Sequence, residues 1–328
     1  MKSKPMSRYH EFDLKKVKTT SIHRRKSKMD ISQSAHPVSP GDSFVHFWDS
    51  LPDVLAGRDL RHLVETIVRA VDSKKPVLVM MGAHVVKVGL SPVIIDLLEN
   101  GAIQGLAVNG AGAIHDVELA YFGRTSEDVT RSLKDGRFGM ARETAELLNH
   151  TVRDGNRMQL GFGEALGKRI VEDHPEHHDL SILGQAYKRG VPVTVHVAMG
   201  TDIVHQHPSA DGGAIGEASL RDFRIWTDAV SQIGNGGVVL LFGSSVILPE
   251  VFLKALTVAR NVVGDITHFT TANFDMIRHY RPCVNLVDRP TREGGEGYTL
   301  IGHHEIMIPL LAAAVKEGLA RKTSVRKN

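Results

Sequence analysis

Two unbroken apolar runs, Val77 to Met81 and Val238 to Phe242, punctuate the chain, and neither alternates with polar residues. A strand with one wet face alternates. A strand that does not is covered on both faces, as in a parallel sheet. Shorter runs at Ile103 to Val108 and Val191 to Val197 predict two more strands, and Asp265 to Thr270 and Val284 to Val287 two further short ones. Between them the apolar positions recur at helical spacing. Leu60, Leu63, Val64, Ile67, Val68 and Val71 form one such stripe, closed by Lys74-Lys75-Pro76. Ser91-Pro92 opens a helix over Val93 to Glu99, with Ser91 as its cap, and Asn100-Gly101 closes it. Helices are also predicted from about His115, over most of Met140 to Asp173, and over Leu180 to Lys188, Arg221 to Ile233, Pro249 to Arg260 and His304 to Gly318. Strands alternating with helices predict an α/β fold: a doubly wound, mostly parallel sheet with helices on both faces, of the Rossmann-like kind.

The 328 residues carry 42% hydrophobic and 23% charged side chains, the balance of a folded globular chain. Net charge is +3, with basic clusters at both ends. The reading is a basic polar arm over residues 1–42, one domain over 43–320 with no linker dividing it, and a basic tail over 321–328. Basic ends of this kind are ordinarily solvated, and no basic stripe interleaved with aromatics marks the body, so nucleic acid is not the expected partner. A single cysteine, Cys283, excludes an intrachain disulfide and suits a reducing compartment. Its neighbours, Val284-Asn285-Leu286-Val287, read as a buried strand, which makes it a packed thiol rather than a nucleophile. No apolar signal core and no membrane-spanning run are found, so no membrane partner is expected and the cytoplasm is.

In a doubly wound sheet ligands bind beyond the carboxyl ends of the strands. Four polar, glycine-rich turns fall there: Gly82-Ala83-His84, Asn109-Gly110-Ala111-Gly112, Gly200-Thr201-Asp202 and Gly243-Ser244-Ser245. Glycine allows positive φ and a close approach to backbone N–H groups, which favour phosphate at a helix start. None matches the full dinucleotide fingerprint, so the turns read either as a dinucleotide cradle or as plain tight connections. The long polar stretch His196 to Phe223 carries Asp202, His205, His207, Asp211 and Glu217. His-x-His with Asp202 or Asp211 can hold a metal, and hydrogen-bonded loop histidines are the plainer alternative. Asp288 to Gly297 is a second charged, glycine-rich loop, read as a site-lining lid. Arg289 and Arg292 can clamp a carboxylate or phosphate there, and Glu293 and Glu296 an amine. His303-His304 opens the final helix, where an unprotonated imidazole serves either as a site residue or as a cap.

These pieces, in this order, resemble deoxyhypusine synthase and its bacterial relatives. The resemblance is carried by Gly82-Ala83-His84 with Gly89-Leu90, Gly110 to Asp116, Ala210 to Glu217, Gly237 to Ser245, and Asp288 to Gly302, from near Val77 to about Ile306. It implies a homotetramer with NAD at the carboxyl ends of the sheet and chemistry on a polyamine-like amine. The cofactor would be lined by Ala83, His84, Gly110, Ala111, Asp211, Ser244 and Ser245, with the loops near Glu217 and Glu293 facing the second substrate. Two positions depart from the family. Its histidine base falls on Pro249 or Glu250, and its imine-forming lysine falls on His303. An imidazole cannot form a Schiff base. The expectation is therefore an NAD-dependent oxidising or transferring enzyme with altered chemistry. His303, His304 or Glu250 would take the proton, and Glu293 or Asp211 would orient a small amine. The alternatives are a metal-dependent hydrolase using Asp202, His205 and His207, and a binding protein without turnover.

Overall fold

β1 (Val77–Met81) is buried at all five positions, and its side chains divide between two separate cores. Val77, Val79 and Met81 enter one, and Leu78 and Met80 the other. This is the period-2 alternation of a strand with a helix layer on each side. The computed structural model describes residues 7–327; the first six residues of the predicted arm and Asn328 of the predicted tail lie outside them.

In chain order, α1 (Phe44–Ser50) and α2 (Leu55–Asp72) precede β1. The single turn α3 (His84–Lys87) and α4 (Ser91–Glu99) lead to β2 (Gly105–Asn109). Next come α5 (Gly110–Phe122), α6 (Val129–Leu133), α7 (Arg142–Arg157), α8 (Phe162–Asp173), α9 (Ile182–Lys188) and β3 (Val193–His196). α10 (Gly212–Ser231), β4 (Val238–Phe242), α11 (Ile247–Val263), β5 (Thr270–Asp275), β6 (Glu296–Ile301) and α12 (His304–Lys327) complete the described chain. Ahead of α1, residues 7–42 are almost wholly exposed and carry three short 3-10 turns.

The described strands form one parallel sheet in the order β3-β2-β1-β4-β5-β6. This is the doubly wound α/β arrangement. From β1 the chain winds outward to β2 and β3, and from β4 it winds the other way to β5 and β6. The two connections leave a crevice over the carboxyl ends of β1 and β4, the topological switch point. The outer edge of β3 is closed by side chains. Val195 N–H donates to the Asp222 carboxylate at 2.6 Å, and Val197 N–H to Ser219 Oγ at 3.1 Å. A blocked edge cannot recruit a further strand there.

Several elements differ from the sequence expectation. The run around Cys283 is a π-helix, Pro282–Asp288, and Cys283 is only half-buried. A short apolar run is ambiguous by periodicity alone, and Pro282 in its first turn suits a helix start. The strand expected over Asp265 to Thr270 is β5, Thr270–Asp275, whose composition hid it: Thr271, Asn273 and Asp275 are polar yet buried. The predicted lid over Asp288 to Gly297 gives way to edge strand β6 from Glu296. α5 starts at Gly110 rather than near His115, and α10 at Gly212 rather than Arg221, because capping by Asn109 and Asp211 lets glycines fill each first turn. Ser91 does not cap α4: it is the first helical residue, and its hydroxyl is buried without a partner. The last helix runs past Gly318 into the predicted tail.

Candidate functional site at the strand ends

The ends of β1 and β4 meet backbone to backbone. Gly82 N–H donates to the Phe242 carbonyl at 2.8 Å, and a Cβ on Gly82 would meet the Gly243 carbonyl oxygen at 2.1 Å. Gly243 turns with φ +63°, and a Cβ there would meet the His304 ring at 2.6 Å. Neither position accommodates a side chain, so both glycines are spoken for by the chain itself.

His304 opens α12 and is 1% exposed. Its Nε2 lies 3.1 Å from the Phe274 carbonyl; since a carbonyl only accepts, Nε2 carries the hydrogen. Nδ1 is buried with no partner among the described residues. The His84 ring stands 5.6 Å away, edge-on at 60°. His84 is half-buried at the start of α3, and its pKa lies below the usual imidazole value. Burial is the main cause, followed by His304; Lys87 acts in the same direction, and Glu305 and Asp275 oppose it.

Asp275 ends β5 within electrostatic reach of His84. It is 6% exposed, accepts the Met276 N–H at 2.8 Å, and forms no ion pair with lysine or arginine among the described residues. Its backbone carbonyl accepts Gly302 N–H at 3.0 Å, extending the β5–β6 pairing to the residues just ahead of α12. On the other flank, Ser244 is buried and its Oγ accepts Leu248 N–H at 3.3 Å, while Ser245 is half-buried.

The β2 end is arranged differently. Asn109 caps α5 by accepting Gly112 N–H at 3.0 Å. A Cβ on Gly110 would meet Asp202 Oδ2 at 1.9 Å, and the same carboxylate accepts the Ala111 N–H. Gly110 therefore makes room for Asp202, not directly for a ligand, contrary to the expectation of a bare phosphate cradle at this turn. Burial raises the pKa of Asp202, partly offset by His205 and by the Ala111 hydrogen bond.

The other sequence candidates are scattered. His303 is exposed, its side chain at 65%, with Nδ1 3.8 Å from Glu305. Glu250 is engaged by Lys254, by Arg281 at 3.3 Å and by Asn285 at 2.8 Å, the last two at the π-helix and its lead-in. Lys254 first of all holds its carboxyl below the usual range, against desolvation, with Arg281 and Asn285 acting in the same direction as Lys254. Asp211 is exposed and caps α10 through Ala214 N–H at 3.0 Å. Glu293 is exposed next to Gly294, which packs against His268 at the amino ends of β5 and β6. A six-residue strand spans about 20 Å, so Glu293 lies at the far end of the sheet from the crevice. Arg292 pairs with Asp288 at 2.7 Å, and Arg289 binds Asn285 at 2.9 Å.

The loop histidines serve the loop. His205 Nδ1 accepts the N–H groups of Gly200 and Asp202 at 3.1 and 3.2 Å, and His207 Nδ1 accepts Ser209 N–H at 3.1 Å. Among the described residues no three His, Cys, Asp or Glu side chains are grouped to hold a metal ion. The metal-dependent hydrolase thus has no ligand set in Asp202, His205 and His207. Sequence reasoning missed Asp275. The signal available was the period-2 polar series Thr271, Asn273, Asp275 within Thr270–Asp275.

At the β1 and β4 ends the side chains of Ala83, Ser244 and Ser245 are small, as a close-lying dinucleotide requires, and a buried nitrogen without a partner among the described residues, His304 Nδ1, marks polar ground. No helix among the described residues is long and apolar enough to cross a membrane. No protein-family model and no curated protein matches the chain. In fold the chain is similar to apo ArgZ, an arginine dihydrolase from the ornithine-ammonia cycle in Cyanobacteria, with a TM-score of 0.51 and 14% identity over 80% of this chain and 33% of that one. It is similar to AgrE in a ternary complex with ornithine and NAD+, at 0.50 and 13% identity over 83% of this chain and 34% of that one. A protein from Entamoeba histolytica described as a deoxyhypusine synthase gives 0.50 and 9% identity over 86% of this chain and 96% of that one. The chain spans about a third of the length of ArgZ and AgrE. At such identities the likeness is one of fold, and the resemblance to deoxyhypusine synthases holds at that level.

Proposed function

We propose that the switch-point crevice binds NAD and that the protein is an NAD-dependent enzyme that oxidises a small amine or transfers a group from it. The observation that carries this reading is Asp275, a carboxylate buried at the carboxyl end of β5 with no lysine or arginine partner among the described residues, within electrostatic reach of His84 where a doubly wound sheet takes its ligand. A buried charge is costly unless paired, and an ammonium group supplies the missing partner. The described companion folds give support: AgrE was solved with ornithine and NAD+, an amine and this cofactor together.

Ala83, His84, Ser244 and Ser245 would hold the cofactor at the β1 and β4 ends. Gly110 and Ala111 would contribute through Asp202, whose carboxylate at the β2 end suits the hydroxyl donors of a ribose. When bound, the nicotinamide supplies the hydride acceptor. The chain's part is to orient the amine at Asp275 and to exclude water with α12. Glu250 and Glu293, engaged elsewhere or remote, have no part in this version of the site. Asp211, exposed at the α10 cap, would reach a ligand only at the rim. Assembly as a homotetramer belongs to the same proposal, with light scattering of the purified protein as its test.

Isothermal titration with NAD tests the reading. Saturable binding near one per chain is expected, weakened at least tenfold by Ser245→Tyr at the half-buried flank. Absence of saturable binding would reject NAD as the cofactor. Binding without NAD reduction by any small amine would instead favour a ligand-binding protein without turnover.

A further inference from the structure

The His84 and His304 rings are brought together from opposite ends of the domain, and the contact is built rather than incidental. Gly243 must lack a side chain and adopt positive φ for His304 to sit where it does. Phe274 fixes the His304 tautomer. The nitrogen left over, Nδ1, is buried and unpartnered. An orphaned buried polar atom is uncommon in a folded protein and requires a reason. Here His304 is 1% exposed and sits behind His84, which is half-buried at the mouth.

We infer that the two imidazoles act as one proton-accepting unit on the crevice floor, with His84 meeting the amine and His304 positioning it from behind. This rests on the amine reading above. A bound ammonium must lose a proton before its nitrogen can release electron density to an acceptor. In that step an N–H bond of the ammonium breaks and its electron pair stays on nitrogen. The proton bonds to the lone pair of the His84 ring, and the resulting imidazolium passes it to water at the mouth. His84 is suited to this because burial, and after it His304, disfavour its protonated form. A neutral imidazole does not repel the two cations the crevice would hold, an oxidised nicotinamide ring and an amine. The charges that face His84 come from each element around it: Lys87 on α3, Asp275 on β5, and Glu305 with His304 on α12. Once His84 is protonated, the two carboxylates stabilise it.

His304 never touches the amine in this arrangement. It is a positioning residue, and its signature is a change in how His84 titrates. His303, next in sequence, has an exposed side chain and serves as an internal control.

The test is the pH dependence of carbethoxylation by diethyl pyrocarbonate, which attacks unprotonated imidazole, read residue by residue by peptide mass mapping. In the wild-type chain His84 is expected to react with a midpoint below that of free imidazole. His304→Phe should move that midpoint upward, because the His304 contribution that lowers it is removed; should that variant not fold, His304→Gln serves. NAD should slow modification of His84 at least tenfold and leave His303 within twofold. A His84 midpoint indifferent to both His304 substitutions overturns the paired unit. NAD that binds by calorimetry without protecting His84 overturns its place at the ligand. If NAD does not bind at all, the cofactor reading fails, and the titration of the pair still reports separately on the coupling.

Discussion

The carboxylate of Asp202 rests against the α-carbon of Gly110, so close that a methyl group there would lie 1.9 Å from Oδ2. One side chain of a polar loop thereby locks onto the start of α5 and accepts the Ala111 N–H. The 3-10 turn at Ile203–Gln206 holds the loop in place, its His205 Nδ1 accepting two backbone N–H groups.

Gly110→Ala should therefore destabilise the fold by about 1–3 kcal/mol, as overpacking generally does. Asp202→Gly in the same chain should recover much of the loss. A denaturant-midpoint cycle over the two single variants and the double variant should return a coupling of at least about 1 kcal/mol. Strict additivity would show that Gly110 serves something other than this contact.

Gly243→Ala combines two penalties. The residue turns with φ +63°, and its new methyl would press on the His304 ring at 2.6 Å. A loss of more than about 1 kcal/mol is expected. The diagnostic result is rescue: His304→Ala should be less harmful in the Gly243→Ala background than alone. Equal harm in both backgrounds would mean the two residues do not press on each other.

The adjacent histidines should behave as opposites. His303→Ala, at an exposed side chain, should change stability by less than about 0.5 kcal/mol. His304→Ala removes a ring that is 1% exposed and should cost about 2–4 kcal/mol. Thermal melts of the two variants side by side decide it. Comparable losses would contradict the difference in burial.

Strands β1 and β4 are legible in the sequence to the residue, because Val77 to Met81 and Val238 to Phe242 are apolar throughout and bounded by proline or glycine. β5 is not, because every second residue of its buried stretch is polar: the Thr271 hydroxyl donates to the Leu286 carbonyl of the π-helix, and Asp275 is buried at the strand's carboxyl end. Hydrophobic patterning cannot see a strand that buries polar side chains, whether bonded like Thr271 or without a partner among the described residues like Asn273. The site shows the same limit. Glycines 82, 110 and 243 and the pair His303-His304 stand out in the sequence, yet which histidine is inward shows only in long-range contacts, His304 lying against Gly243 and the Phe274 carbonyl. Glu293 reads as a neighbour of the site because it follows an apolar run; that run is a π-helix which returns the chain to the amino ends of the strands before β6.

Asp222 offers a pH test of the fold. It is fully buried on α10, where its carboxylate accepts Val195 N–H at 2.6 Å and Gly163 N–H at 2.9 Å, joining β3 to the start of α8. Asp222→Ala would orphan both donors and should cost about 2–4 kcal/mol. Burial pushes its pKa up to about 7, against the backbone hydrogen bonds that oppose it. In the unfolded chain the same group ionises near 3.8. Between these values the folded state binds the proton and the unfolded state does not, so the contribution to stability is full below the unfolded value and lost as pH rises through about 7. Asp222→Asn cannot ionise and removes this dependence. Urea midpoints measured from pH 5 to pH 8 should therefore fall in the wild-type chain relative to Asp222→Asn. Parallel profiles, or a wild-type chain that gains on the variant with rising pH, would show that the three-element junction holds Asp222 charged throughout.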